Sequence, residues 1–370
     1  MRLLQKECGK CLRHPFLWIV CIAFGLFQFL SIYTYVGNAG MRKELRQMHM
    51  AVTDEETASP EYESAYADYK KTYGGMYDTL DMRKILEQKE KKSGYEPQGV
   101  WGSWIVRNYD RLQKRVEQIR KTGEGTYAFY PGSWYKLHST LYGKLWKKLI
   151  LQTAVLMILS MLYLMDYERI YKTQDLVLAT TTGKKMMEKK MLAGALCGLF
   201  YAGLLTAFTL LVFFAAVPFQ NLWHVPVAAC MVAEPRLQMM YPFVTFWRLE
   251  QWRYLLLALV VLVGLLGIVA AVTAAVQLFL QNSYFSFAVL SLLFMGAYLL
   301  AYVQMGNVWD LIREFFNPTV LYATSGGWFM ENDLCLSFAG NEFAVLFCSG
   351  TAAVCLLVVG KRRYHRLDVI

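Results

Sequence analysis

Six stretches of the chain contain no Lys, Arg, Asp or Glu: Phe16–Val36, Leu149–Met165, Met191–Val217, Tyr254–Leu280, Tyr284–Val303 and Phe343–Gly360. About 20 apolar residues wound as an α-helix cover the roughly 30 Å of a bilayer's hydrocarbon core, where a backbone has to satisfy its own hydrogen bonds. The runs therefore predict an all-α polytopic membrane protein with six transmembrane helices. The shortest, Leu149–Met165, reaches about 25 Å. Lys147 and Lys148 stand where they can snorkel at its end, with Trp146 expected at the interface. Only 18% of the 370 residues are charged, against about a quarter in soluble domains.

Lysine and arginine in the short connections set the orientation. With the amino terminus inside, segments 1–15, 166–190, 281–283 and 361–370 are cytoplasmic and hold fourteen basic residues, whereas the outer loops 218–253 and 304–342 hold four. Both termini are then cytoplasmic, in a multi-pass protein expected in the plasma membrane. The formal charge of +10 reads as a topology signal facing anionic lipid rather than a nucleic-acid footprint. The first run exceeds a signal peptide's usual apolar core, and no A-x-A-like site follows it, so it reads as a signal anchor.

The rest of the chain divides around these runs. Residues 1–15 form an expected interfacial helix, with Leu3, Leu4, Cys8, Cys11 and Leu12 apolar and Arg2, Lys6, Lys10 and Arg13 basic. Segment 37–148 is an extracellular, mainly helical subdomain between spans one and two. One helix opens at Ser59-Pro60, a second runs from Met76 to about Lys92, and a third covers Ser103–Lys121. In the third, Ile105, Tyr109, Leu112, Val116 and Ile119 recur at spacings of four and three, a single apolar stripe that reads as a packing seam. Residues 149–370 form a five-span membrane domain with the connector 166–190 and the tail 361–370. Small-residue ladders, Gly194, Gly198 and Ala202, then Gly267, Ala271 and Ala275, predict close helix approach. Trp309–Phe316 predicts a short amphipathic helix at the outer surface, stopped by Asn317-Pro318.

Chemistry is sparse. There is no GxxxxGK[ST], because Leu178 stands where the first glycine would be, and no HExxH or GxSxG. Five scattered histidines suggest no metal site, and Cys8-Gly-Lys-Cys11 is a lone CxxC without a second pair. No catalytic residue is assigned. Cys230 and Cys335 are the two cysteines in outer loops and are candidates for a disulfide. The deepest polar groups of the spans, among them Gln28, Gln152, Thr153, Ser160, Thr206, Thr209, Thr273 and Gln277, are neutral, and most are expected to bond to neighbouring helices. Ion-coupled carriers keep ionisable side chains inside their bundle. A bundle without them suits transport driven from outside, or no transport.

The connector Asp166–Lys190, DYERIYKTQDLVLATTTGKKMMEKK, is too polar to cross a bilayer and too short to fold alone. With the segment LLQKECGKCLRHP before the first span, it gives the chain its resemblance to the membrane subunit of type-2 ABC exporters. The resemblance rests on Glu7, Lys10 and Arg13 in the amino-terminal helix and on Glu168 at the inner end of the second span. Thr181, Gly183 and Lys184 in the turn into a third span led by Lys190, and the Asn317-Pro318 break, complete it. The 112-residue segment 37–148 resembles the subset with an enlarged first outer loop. The resemblance implies two permease chains, identical or not, with two ABC ATPase subunits. ATP and Mg would be on the ATPase, with no cofactor on this chain. It implies that Tyr167, Glu168, Arg169, Ile170, Tyr171 and Lys172, on a helix reaching to about Leu178, seat in an ATPase groove. The cargo would be a hydrophobic or amphipathic peptide, lipid or drug. The alternative is a membrane sensor or scaffold that reads an extracellular ligand through residues 37–148.

Overall fold

The computed structural model describes residues 2–38, 77–93, 99–124, 137–173, 183–217, 222–231, 244–303, 308–331 and 338–366, with a few single positions between them. Helices α1 (Arg2–Leu12) and α2 (Pro15–Val36) lead, followed by α3 (Met82–Ser93) and α4 (Gly99–Thr122). A π-helical turn, Ser139–Leu145, runs straight into α5 (Trp146–Met165) and the single turn α6 (Tyr167–Ile170). Then come α7 (Gly183–Ala216), α8 (Val227–Met231), α9 (Gln251–Leu280), α10 (Ser283–Ala301), α11 (Val308–Phe316), α12 (Thr319–Ala323) and α13 (Asn341–Arg366). Among the described residues there are two isolated β-bridges and no strand. Six helical segments are long and apolar enough to span: Pro15–Val36, Ser139–Met165, Met186–Ala216, Gln251–Leu280, Ser283–Ala301 and Asn341–Tyr364. The chain is an all-α polytopic membrane protein.

The second span starts at Ser139 rather than Leu149, and this corrects the placement of Trp146. Two turns of helix precede that ring, which packs 5.7 Å from Tyr142 and is 1% exposed, so it lies in the core and not at an interface. Lys148 turns inward and donates to Ser31 Oγ at 3.0 Å and Tyr35 Oη at 3.2 Å on α2.

α5 is the central element, touching α2, α7, α9 and α10. Its approach to α7 is set by two missing side chains. A Cβ at Gly198 would lie 3.0 Å from the Cα of Met157, and one at Gly194 would lie 3.1 Å from the Cα of Met161. Ala202 continues the same buried edge. The second ladder is placed differently. A Cβ at Gly267 meets no atom within 4 Å and Ala271 is half-buried, while Gly264, one turn earlier, faces Leu346 of α13 at 2.9 Å. Ala275 is fully buried, and a Cβ at Gly360 of α13 would approach its carbonyl oxygen at 3.5 Å.

Gln28 and Gln152 bond across α2 and α5 at 2.7 Å, as expected of polar groups inside spans. The threonines differ from that expectation. Thr153, Thr206 and Thr209 donate to carbonyls four residues back on their own helices, an acceptor always within reach of a β-hydroxyl.

At the far end from the amino terminus, α3 and α4 pair through Ile85, Leu86 and the whole predicted stripe, Ile105, Tyr109, Leu112, Val116 and Ile119, all buried. The second helix begins at Met82 rather than Met76, because Asp81 accepts from the backbone N–H groups of Arg83 and Lys84 and caps it there. Residues 60–63 and most of 64–76 lie outside the described residues. The α4 connector ends at Gly99, earlier than the sequence pattern suggested, and Gly123 at φ +66° stops the helix. Arg115 and Glu124, 6% and 1% exposed, form a two-pronged pair at 3.1 and 2.5 Å, and Arg115 Nε also donates to the Thr245 carbonyl at 3.2 Å. This pair joins the subdomain to the strap at 244–250, which bridges in turn to Met330.

α11 forms where the short amphipathic helix was predicted and ends at Phe316, just before Asn317-Pro318, and it turns its charged side inward. Asp310 and Glu314 are 3% and 0% exposed against the bundle, while Ile312 and Phe316 are exposed. Arg313 donates to the Leu300 and Ala301 carbonyls, placing a cation on the C-terminal end of α10. Beside a bilayer the apolar side belongs outward, because the surrounding solvent there is lipid.

Gly198→Leu is expected to force α5 and α7 apart and cost about 1–3 kcal/mol, read as a lowered unfolding midpoint in detergent, whereas Gly267→Leu leaves the midpoint unchanged. Arg115→Met leaves the buried Glu124 carboxylate with only the Thr122 hydroxyl and the more distant, exposed Arg248, and is expected to cost about 3 kcal/mol. Limited proteolysis should then cut the subdomain first, and Glu124→Leu added to Arg115→Met should restore most of the resistance.

Candidate functional site

α1 ends because Pro15 disfavours a helical residue before it. His14 is accordingly extended, at φ −78° and ψ 116°, and the Trp18 indole donates to the Leu12 carbonyl at 2.7 Å. The Cys8–Cys11 edge of α1 lies on α7. Cys197 Sγ approaches the Cys8 carbonyl at 3.8 Å, the Tyr201 hydroxyl approaches that of Cys11 at 3.5 Å, and Cys11 is fully buried. Burial beside Cys197 pushes the Cys8 thiol up to about 11, so it stays protonated at neutral pH. Leu3, by contrast, is 43% exposed. Cys335 lies outside the described residues, as does the side chain of Cys230.

On the opposite edge of α1 four charges meet. Lys10 Nζ lies 2.7 Å from Glu7 and 3.5 Å from Glu168, and Glu168 is also paired with Lys190. Glu7, Glu168 and Lys190 are 1%, 8% and 3% exposed. Two carboxylates and two ammonium groups thus form a neutral knot tying α1, the α5–α6 junction and α7. Charges at this depth are tolerated only when each has a counter-charge. Lys10 also sits over the ring of Tyr167, 4.4 Å from its centroid.

The connector helix is shorter than expected. α6 makes one turn, and Lys172 at φ +53° closes it: the Thr173 N–H donates to the Glu168 carbonyl at 2.8 Å and the Lys172 N–H to that of Arg169 at 3.1 Å. This is a Schellman stop, usually built on glycine. Residues 174–182, including Thr181 and Leu178, lie outside the described residues, and Gly183 and Lys184 open α7. Arg169, Ile170, Tyr171 and Lys172 are exposed, the middle two each by 54%. Arg13 is exposed as well and stands apart from the knot.

Asp166 carries a second tie. Its Oδ2 accepts from Ser283 Oγ at 2.8 Å, docking the α9–α10 hairpin onto the end of α5. That hairpin is as tight as predicted, with Gln281 at φ +51° and Asn282 Oδ1 capping α10 through the N–H groups of Tyr284 and Phe285. Lys361 of α13 reaches Glu188 of α7 at 3.3 Å, so the end of the last span sits at the same side as the first residues of the chain. Sequence reasoning missed the Asp166–Ser283 contact, which spans 117 positions and has no local signature. It also missed Tyr163, which continues Tyr167 and Tyr171 at four-residue spacing.

Compared with known proteins, the chain matches no family model, no curated protein and no solved structure. Fold and site together define a multi-pass helical membrane protein. Its amino-terminal helix, first connector and third span are locked by one set of charges.

Lys190→Met leaves Glu7 and Glu168 facing Lys10 alone and is expected to cost about 3–5 kcal/mol. Glu168→Gln combined with Lys190→Met should recover most of that loss, with thermal unfolding of the purified variants as the measurement.

Proposed function

We propose that this chain is the membrane-spanning permease subunit of an ATP-driven ABC exporter in the plasma membrane, moving a hydrophobic or amphipathic cargo with energy from a separate ATPase. The observation that carries the reading is the charged knot. Glu7 and Lys10 on α1, Glu168 at the second span and Lys190 at the third are far apart in sequence, and each belongs to the pattern that makes the chain resemble that family. A push on α6 would pass through Glu168 into α1 and α7 at once, because buried ion pairs resist separation. Arg169, Ile170 and Tyr171 offer an exposed mixed surface on that same turn. The opposing reading, a sensor working through 37–148, gains no ligand groove from the α4 stripe, which is buried in its own seam.

Gentle-detergent purification of the native complex tests this. An ATP-binding subunit is expected to accompany the chain. Arg169→Glu with Tyr171→Ala, both outside the knot, should lower its recovery on the order of tenfold, about 1.4 kcal/mol, without changing insertion. Transport by the purified chain alone, driven by an ion gradient, would sink the reading.

A further inference from the structure

Between α1 and the α5–α6 junction lies an open cleft of about 710 Å³, which Lys10 of the knot borders on one side. One wall is α1, contributing Lys6, Gly9 and Arg13. The other is the tyrosine ladder Tyr163, Tyr167 and Tyr171, with successive ring centroids 5.7 and 4.5 Å apart. His14 closes one end, its ring 4.1 Å from that of Tyr163. Two features mark it as a place for an anion. Lys10 is neutralised by Glu7 and Glu168, but Lys6 and Arg13 form no ion pair among the described residues. The second feature is space: a side chain at Gly9 would meet no atom within 4 Å, so this helical glycine leaves the floor open.

Position narrows the ligand. His14 and Pro15 line the cleft where the first span begins, and Tyr163 and Tyr167 where the second ends, which places it at the boundary of the apolar layer. Just beyond it α2 turns Phe16 and Ile19 outward, 50% and 63% exposed. A ligand fitting both surfaces carries an anionic head and an apolar tail. We infer that the cleft binds the phosphate headgroup of an anionic phospholipid, its acyl chains lying along Phe16 and Ile19. Arg13 would grip the phosphate in two-pronged fashion, Lys6 would add a point charge, and the tyrosine hydroxyls would donate to the remaining oxygens. A basic residue near an anionic surface contributes in the same sense. The inference does not rest on the transport reading, since it needs only a bilayer at this level.

The test uses the full-length protein, purified, stripped of lipid and titrated with mixed micelles of phosphatidylglycerol or phosphatidylcholine. Retained lipid is read by native mass spectrometry and affinity by the shift in unfolding midpoint. Phosphatidylglycerol is expected to bind on the order of tenfold tighter than phosphatidylcholine. Lys6→Gln with Arg13→Gln should erase that preference. Gly9→Leu should lower phosphatidylglycerol occupancy with every charge intact. Lys6 and Arg13 are exposed and Gly9 faces open space, so the lipid-free midpoints of all three proteins should agree. Equal affinity for the two lipids, or a preference that survives both variants, overturns the inference. So does displacement of phosphatidylglycerol by inorganic phosphate alone, which would assign the cleft to a soluble anion.

Discussion

Backbone contact between α5 and α7 is the constraint on which the remaining architecture depends. In lipid, helices gain little from hiding apolar side chains from one another, so association rests on dispersion at short range. Gly194 and Gly198 remove the atoms that would keep Met157 and Met161 at a distance. That approach fixes where the ends of both helices lie, and therefore where Glu168 and Lys190 meet. The knot is thus a product of packing that begins one to three turns away. α1 joins it from outside the bundle, seated on α7 through Cys8 and Cys11, with Glu7 and Lys10 presented on its other edge.

The spans were legible because the bilayer imposes length and composition directly, and the α4 stripe because periodicity reports which face is covered. The glycine ladders show where such reading stops. Both have four-residue spacing, yet Gly194 and Gly198 meet a neighbouring helix while Gly267 meets nothing, since spacing tells which residues share a face and not what that face opposes. Helix ends were harder still. Asp81 capping α3 and Lys172 in a left-handed stop are local choices among several that the sequence permits. Of the candidate site, Glu7, Lys10, Glu168 and Lys190 were visible as charges near membrane boundaries. The i,i+3 spacing of Glu7 and Lys10 is local, but the meeting of Lys10 and Lys190 with Glu168 was not legible, because ion pairing over such separations leaves no periodic trace.

The far end is built by the opposite rule. There α11 buries Asp310 and Glu314 and offers Ile312 and Phe316 to the outside, and Tyr142 and Trp146 of the second span, Tyr254 of α9 and Trp328 fill the interior. Tyr254 meets Tyr142 and His138 edge to face, Tyr142 lies tilted against His138 and Trp146, and full burial pushes the His138 imidazole down to about 3 and keeps it neutral. The α3–α4 subdomain keeps an apolar cluster of its own, apart from that of the bundle, and the buried Arg115–Glu124 pair with the Thr245 carbonyl ties the two together.

α10 is secured chiefly at its extremities. Ser283 is held by Asp166, and the far carbonyls of Ala297, Leu300 and Ala301 are held by Asn317 and Arg313. Between those anchorages Leu292, Leu293 and Met295 are more than half exposed. Leu290 apart, which packs with Leu162 and Val276, the outward side of this helix is answerable to the bilayer's chemistry more than to any neighbour's shape, so one apolar residue there serves about as well as another. Lineages descending from this chain can therefore drift freely along that stretch while its two anchorages hold still.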